Sequence, residues 1–203
     1  MNIVYTAISG GYDKLRPLGY KTPGWQYICF TDSPIRSNGW DVKVMRLIGD
    51  KAKWTRKIKI LNHIYAPADV SIWVDGCIEI TGDMNEFLSE IPQGNLVIPK
   101  HPERTTLDGE LKACISLKKD DPALMTEQVK KYGDLKYDFT QNTVIVRRGD
   151  VIKAMSLWWR EVDYWSKRDQ LSFGYSMRQA KQEYQTFDWS IIEKYFVWHK
   201  LHK

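Results

Sequence analysis

Ile3-Val4-Tyr5-Thr6-Ala7-Ile8, closed by Ser9-Gly10-Gly11, is the stretch that decides the fold. It is a short, nearly continuous apolar run rich in β-formers, ended by turn residues. A strand that is apolar on both sides suits a parallel sheet covered on both faces. Trp25 to Phe30 (WQYICF) reads the same way and stops at the turn-forming Thr31-Asp32-Ser33-Pro34. Trp40 to Leu47 alternates and predicts a third strand at a sheet edge. Asp69 to Ile80 (DVSIWVDGCIEI) predicts a strand running into a turn at Asp75-Gly76, and Asn95 to Pro99 and Thr143 to Val146 predict further strands.

Helical patterns fall between these strands. In Ala52 to Tyr65, Trp54, Ile58, Leu61 and Tyr65 form one apolar stripe, and Arg56, Lys59 and His63 form a cationic stripe on another face. Asp83 to Ile91, Glu110 to Lys118, Pro122 to Tyr132, Val151 to Trp165 and Asp169 to Ala180 are also predicted helices. Strands alternating with helices predict a single α/β domain over residues 1–203, with a mostly parallel central sheet flanked by helices. Residues 181–203 read as an aromatic tail packing back on it. Repeats and linkers are not evident.

The composition agrees. The chain has 203 residues, 43% apolar and 27% charged, which suits one globular domain and excludes a disordered chain. A net charge of +5 favours an anionic ligand but is too diffuse to specify nucleic acid. No apolar run reaches the roughly 18 residues of a membrane span. The first residues lack the layout of a signal peptide, so a cytoplasmic location is expected. Cys29, Cys77 and Cys114 fit neither a disulfide framework nor a zinc site and read as buried thiols.

In an open α/β sheet, ligands bind beyond the carboxyl ends of the strands. The residues to weigh are therefore Gly10-Gly11-Tyr12-Asp13, Asp32, Asp75-Gly76, His101 with Arg104, and Asn142 to Arg148. The paired glycines match neither a dinucleotide fingerprint nor a P-loop. Asp75-Gly76 is as consistent with a plain turn as with a carboxylate for a ribose or a metal ion. The cationic stripe is either a solvated face or a diphosphate cradle. Asp169 is either a helix cap or a group beside a reacting carbon.

Six pieces, in order, carry a resemblance: YTAISGGYDKL, YICFTD, TRKIKILNHIYAPADVSIWVDGCIEI, HPERTTLDGEL, NTVIVRR and WWREVDYWSKRDQLSFGY. Together they resemble the glycosyltransferase-like family catalogued as domain of unknown function 616. The resemblance spans roughly Ile3 to Tyr175 and implies a GT-A (nucleotide-diphospho-sugar transferase) fold, Rossmann-like in build. It implies a UDP-sugar or similar nucleotide-sugar donor and a divalent cation, Mn²⁺ or Mg²⁺. By this resemblance Tyr5, Thr6, Gly11, Tyr12 and Asp13 wrap the nucleotide and Asp32 sits by the base. Arg56, Lys59 and His63 face the diphosphate, and Asp75 with Gly76 forms an Asp-x-Asp-like motif. His101, Arg104, Asn142 and Arg147 fall at the sugar or acceptor end. Asp169, Gln170 and Glu110 are the catalytic candidates, with retention of configuration implied.

One departure is plain in the sequence. Cys77 stands where an Asp-x-Asp motif has its second acid, and a neutral thiol is a poor ligand for a hard cation. The ion would then rest on Asp75, the phosphates and His199, or on Glu79 reaching in. The expected acceptor is a glycan, a cell-surface polymer or a modified DNA base, which suits a short phage- or bacterium-type enzyme; plant members of that family normally carry a membrane anchor. The competing reading is a non-catalytic carbohydrate- or nucleic-acid-binding module using the nine Trp and eleven Tyr.

Overall fold

β1 (Asn2–Ile8) lies near the middle of a seven-stranded sheet in the computed structural model, which describes residues 1–199. It pairs in parallel with β2 (Trp25–Thr31) on one side and β4 (Val70–Val74) on the other. β3 (Asp41–Val44) adds in parallel to β2 and is an edge, as its alternation predicts. Beyond β4 come β7 (Val144–Arg148), β6 (Leu96–Pro99) and β8 (Gln185–Phe187), in that order. β7 runs against both neighbours; every other pairing in this sheet is parallel. The sheet is therefore mixed but mostly parallel. A second, two-stranded sheet pairs β5 (Ile78–Ile80) with β9 (Phe196–Trp198).

The apolar strands are apolar because both faces are covered. Val4, Ile72, Val74, Val144 and Val146 pack on one face beneath α3 (Met84–Glu90) and α8 (Trp189–Tyr195). Ile3, Tyr5, Trp73 and Ile145 pack on the other, against α1 (Lys51–Ile60), α6 (Ile152–Tyr164) and α7 (Asp169–Ala180). A satellite cluster joins α4 (Leu107–Ser116) and α5 (Pro122–Tyr132) to α7. Residues 181–198 enter both sheets through β8 and β9, and the end of the tail, 200–203, lies outside the described residues. Cys29, Cys77 and Cys114 are free and buried. Among the described residues, no helix is long and apolar enough to cross a membrane.

The predicted helix over Ala52 to Tyr65 is two pieces. α1 stops at Ile60, Leu61 leaves helical geometry, and α2 (Asn62–Tyr65) is a separate turn. The cause lies in the sheet below. In a continuing helix the Lys59 carbonyl would accept from the N–H of residue 63. Instead it accepts from Tyr5 Oη (2.7 Å) and Arg147 Nη2 (2.9 Å). Arg147 Nη1 also donates to Tyr5 Oη at 3.0 Å. His63 is thereby turned out of register with Arg56 and Lys59.

This buried triangle should be measurable. Arg147→Met removes charged hydrogen bonds from a fully buried position and is expected to cost about 3 kcal/mol in urea denaturation. Tyr5→Phe leaves the Arg147–Lys59 bond in place and should cost about 1 kcal/mol.

Candidate active site

The strand order reverses direction at β1 and β4: β2 and β3 build outward on one side, β7 and its neighbours on the other. Such a switch point opens a crevice at the strands' carboxyl ends. A cleft of about 800 Å³ lies there, and Gly10, Arg56, Lys59, Asp75, Asn142 and Asp169 are among its lining. Among the described residues that line it are eight Lys and Arg against four Asp and Glu. That excess fits an anionic ligand.

The β1 loop is shaped by its glycines. Gly10 has φ +60°, a left-handed conformation that favours glycine, and a Cβ there would push the end of the Lys51 side chain aside. Both Asp32 carboxylate oxygens accept from the Gly10 N–H at 3.0 Å. Ser9 Oγ donates to the Lys51 carbonyl (2.9 Å) and lies 2.9 Å from Thr55 Oγ1, joining the loop to α1. Gly76 permits another close approach: a Cβ there would meet Asp13 Oδ2 at 3.3 Å.

The centre is a ladder of alternating charges. Lys59 Nζ, buried, lies 2.7 Å from Asp169 Oδ2 and 3.3 Å from Asp75 Oδ1. Arg56 Nε lies 2.9 Å from Asp169 Oδ1, as a charge contact rather than an aligned hydrogen bond. Trp73 Nε1 donates to Asp75 Oδ1 at 2.7 Å. Burial pushes the Asp169 carboxyl up, but the charges of Arg56, Lys59 and Arg168 and the bond from Lys59 outweigh it, and its net shift is downward. Asp169 is therefore an anion at neutral pH.

A second cluster flanks it. Glu110, buried, is held by Arg104 Nε at 2.5 Å, with Arg168 Nη2 at 3.6 Å. Gln170 Nε2 donates to Gln141 Oε1 (3.0 Å) and its Oε1 accepts from Arg168 (3.3 Å). His101 Nδ1 accepts from the N–H groups of Glu103 (3.1 Å) and Arg104 (3.0 Å), which sets the turn that presents Arg104.

The cleft gathers Tyr12, Asp13, Arg56, Lys59, Asp75, Gly76, Arg104, Glu110, Asn142, Asp169 and Gln170. Several predicted site residues stand elsewhere. Tyr5, Thr6 and Arg147 are buried in the sheet; Tyr5 and Arg147 brace the Lys59 carbonyl instead of touching a ligand. His63 falls in the separate turn α2 and does not line the cleft. Gly11 and Asp32 shape the loop behind the lining, and His101 caps a turn. Asp169 and Glu110 are inside, but their carboxylates are committed to cations.

His199 Nε2 lies 2.8 Å from Glu79 Oε2, across the β5–β9 pair, and neither lines the cleft. Burial first, then the charges of Asp75 and Asp13, raise the Cys77 thiol to about 12, so it is neutral. One Asp75 oxygen already serves Lys59 and Trp73. No group of three or more His, Cys, Asp or Glu able to hold a metal occurs among the described residues. Of the positions expected to hold an ion, Asp75 alone brings a carboxylate to the cleft lining.

The sequence reading missed Trp73, and it weighed Thr143 only as part of the Asn142 to Arg148 stretch. Trp73 stands two residues before Asp75 in an extended segment, so both point to the same side, which is a signal the sequence held. The Thr143 carbonyl accepts from the Asp75 N–H at 2.8 Å, a contact set by β4 pairing with β7.

An α/β domain with a mostly parallel sheet, flanking helices and a ligand cleft at the β1–β4 switch point is a GT-A-like, Rossmann-type fold. Residues 40–195 match the family described as "TOD1/MUCI70, glycosyltransferase-like domain", and the chain belongs to that family. Among solved structures it is similar in fold to the apo structure of WbbM, a bifunctional glycosyltransferase. The TM-score is 0.51 at 13% identity, over 92% of this chain and 38% of that one. This chain thus spans well under half of that protein's length. No curated protein matches it.

Two outcomes test this site. Burial first, then the Arg104 charge, lower His101 from 6.5 to about 4, which keeps Nδ1 free to accept from the turn. Below pH 6.5 the unfolded chain takes up the proton first, so this stability, complete above that pH, is lost as pH falls toward 4. His101→Asn, which keeps an acceptor but does not titrate, should flatten that part of a melting profile. Asp169→Asn leaves the buried Lys59 and the partly buried Arg56 short of a carboxylate and should cost about 3–5 kcal/mol in denaturant unfolding at pH 7.

Proposed function

We propose that the cleft binds a nucleotide-diphosphate sugar and transfers its glycosyl group to an acceptor hydroxyl. The observation that carries this reading is the convergence of Arg56 and Lys59 with Asp75 and Asp169 at the switch point of a glycosyltransferase-family domain. In the reaction, the acceptor oxygen forms a bond to the anomeric carbon. The bond from that carbon to the diphosphate breaks, and its electron pair leaves with the diphosphate. The acceptor proton passes to the departing phosphate or to water.

The chemistry asks for two things of the chain. Negative charge grows on the leaving diphosphate, and fixed cations lower the barrier because they need no reorganisation. Arg56, partly exposed at the cleft, is the cation placed to touch the phosphates. Lys59 is nearly inaccessible; it sets the positions of Asp75 and Asp169 and adds its field. Positive charge grows at the anomeric carbon, and the anions of Asp75 and Asp169 in the same cleft supply the opposite field. Asp169, with both oxygens engaged by cations, acts by charge and orientation instead of accepting a proton. The Gly10 loop, Tyr12 and Asp13 form the nucleotide end, and Asn142 and Gln170 the sugar end.

Thermal shift with a panel of nucleotide diphosphates tests the reading, since a ligand of the folded state raises its melting temperature. At least one nucleotide diphosphate should stabilise the protein. Arg56→Met should weaken that ligand about tenfold or more, a loss of about 1.4 kcal/mol or greater, read as a shift from the variant's own ligand-free melting temperature, which itself falls because Asp169 loses a cation. If none of the nucleotides binds, the proposal fails.

A further inference from the structure

The cleft has a second basic end that the diphosphate reading does not use. It forms where the turn after α4 meets the turn before α7. Asp120 Oδ2 accepts from Ser166 Oγ (2.7 Å) and from the Lys167 N–H (2.9 Å), and Asp120 Oδ1 lies 3.8 Å from Lys167 Nζ. This tie brings Lys118, Lys119 and Lys167 to one mouth of the cleft, and all three line it. Lys118 adopts φ +51°. Its N–H donates to the Ile115 carbonyl and that of Lys119 to the Cys114 carbonyl, closing α4 and fixing where the two side chains depart.

The acids nearby are already committed: Glu110 to Arg104 and Arg168, Asp120 to the tie. Lys118 and Lys119 are exposed, and neither ammonium makes an ion pair or hydrogen bond among the described residues. Cations at the end of a helix also complement its dipole. That accounts for Lys118 or Lys119 on α4. It does not account for Lys167, on another segment, being held at the same mouth. Lys167 is two residues from Asp169, so their Cα atoms lie within about 7 Å. Charge at this mouth is therefore close to the proposed reacting centre.

We propose that this end is the acceptor subsite and that it takes an anionic carbohydrate chain. The chain's acidic group, a carboxylate or a phosphodiester, sits beside the lysines, close to the attacked hydroxyl. The proposal rests on the glycosyl-transfer reading above. Three lysines at the mouth of a cleft suit one or two acidic groups at a chain end. A nucleic-acid backbone instead presents a charge at every nucleotide and rewards a longer run of cations.

The test uses the full chain and the donor found by thermal shift. Acceptors are a uronic-acid oligosaccharide, a sugar-phosphate oligomer, a neutral oligosaccharide of equal length and single-stranded DNA. An anionic carbohydrate should exceed the neutral one at least about tenfold in kcat/KM, an advantage that shrinks as salt rises from about 0.05 to about 0.3 M. Which anionic arm is preferred identifies the acidic group. The double variant Lys118→Glu/Lys119→Glu should raise the KM of the anionic acceptor about tenfold and leave that of the neutral one unchanged. Lys112→Glu, an exposed change on the same helix and away from the cleft lining, should alter neither. Equal use of the neutral chain, use of DNA in preference, or a double variant with unchanged KM overturns the proposal. Absence of binding by every nucleotide diphosphate defeats the transfer reading instead, which separates the two failures.

Discussion

Lys59 is held at both ends, and the rest of the site depends on it. Its ammonium lies between Asp75 and Asp169, and its carbonyl is claimed by Tyr5 and Arg147. A buried lysine is costly unless its charge is met. Here the compensation comes from two carboxylates that belong to different elements, the end of β4 and the start of α7. Pairing them through one ammonium fixes the distance between strand and helix, and so the width of the cleft. The same residue's carbonyl ends α1, which places Arg56 one turn back from a rigid stop.

The buried Arg147 extends this arrangement into the sheet. Its guanidinium meets a phenol, a carbonyl and the Met155 sulfur, with no carboxylate among its partners in the described residues. Burial lowers its pKa, while Tyr5 works in the opposite direction. The positive charge therefore contributes to the potential beneath the cleft without being reached by a ligand. Cations around the cleft thus fall into two kinds. Some are exposed enough to touch a substrate, and some only shape the field.

Much of the architecture was legible because it rests on local pattern. The apolar runs of β1, β2 and β4 report a sheet covered on both faces, and the alternation of β3 reports an edge. The positions of Arg56, Lys59 and Asp75 followed from strand ends and helical spacing. His63 did not follow, because the break at Leu61 is imposed by Tyr5 and Arg147 from strands far away in sequence. Tyr5 and Arg147 themselves sit close in the chain to residues that line the cleft, yet strand alternation turns them into the core. The second acid of the motif is a further case: residue type alone marks Cys77 as a departure, but only the fold reveals that His199 is engaged with Glu79.

The three thiols have a practical consequence. Burial dominates at each, raising Cys29 and Cys77 to about 12 and Cys114 to about 11. At neutral pH the nucleophilic thiolate is scarce in all of them. The native chain is thus a chemically quiet background for maleimide dyes and spin labels. A single cysteine introduced on an exposed rim position would carry a probe almost alone, so the opening and filling of the cleft can be followed by spectroscopy without first stripping out the natural residues.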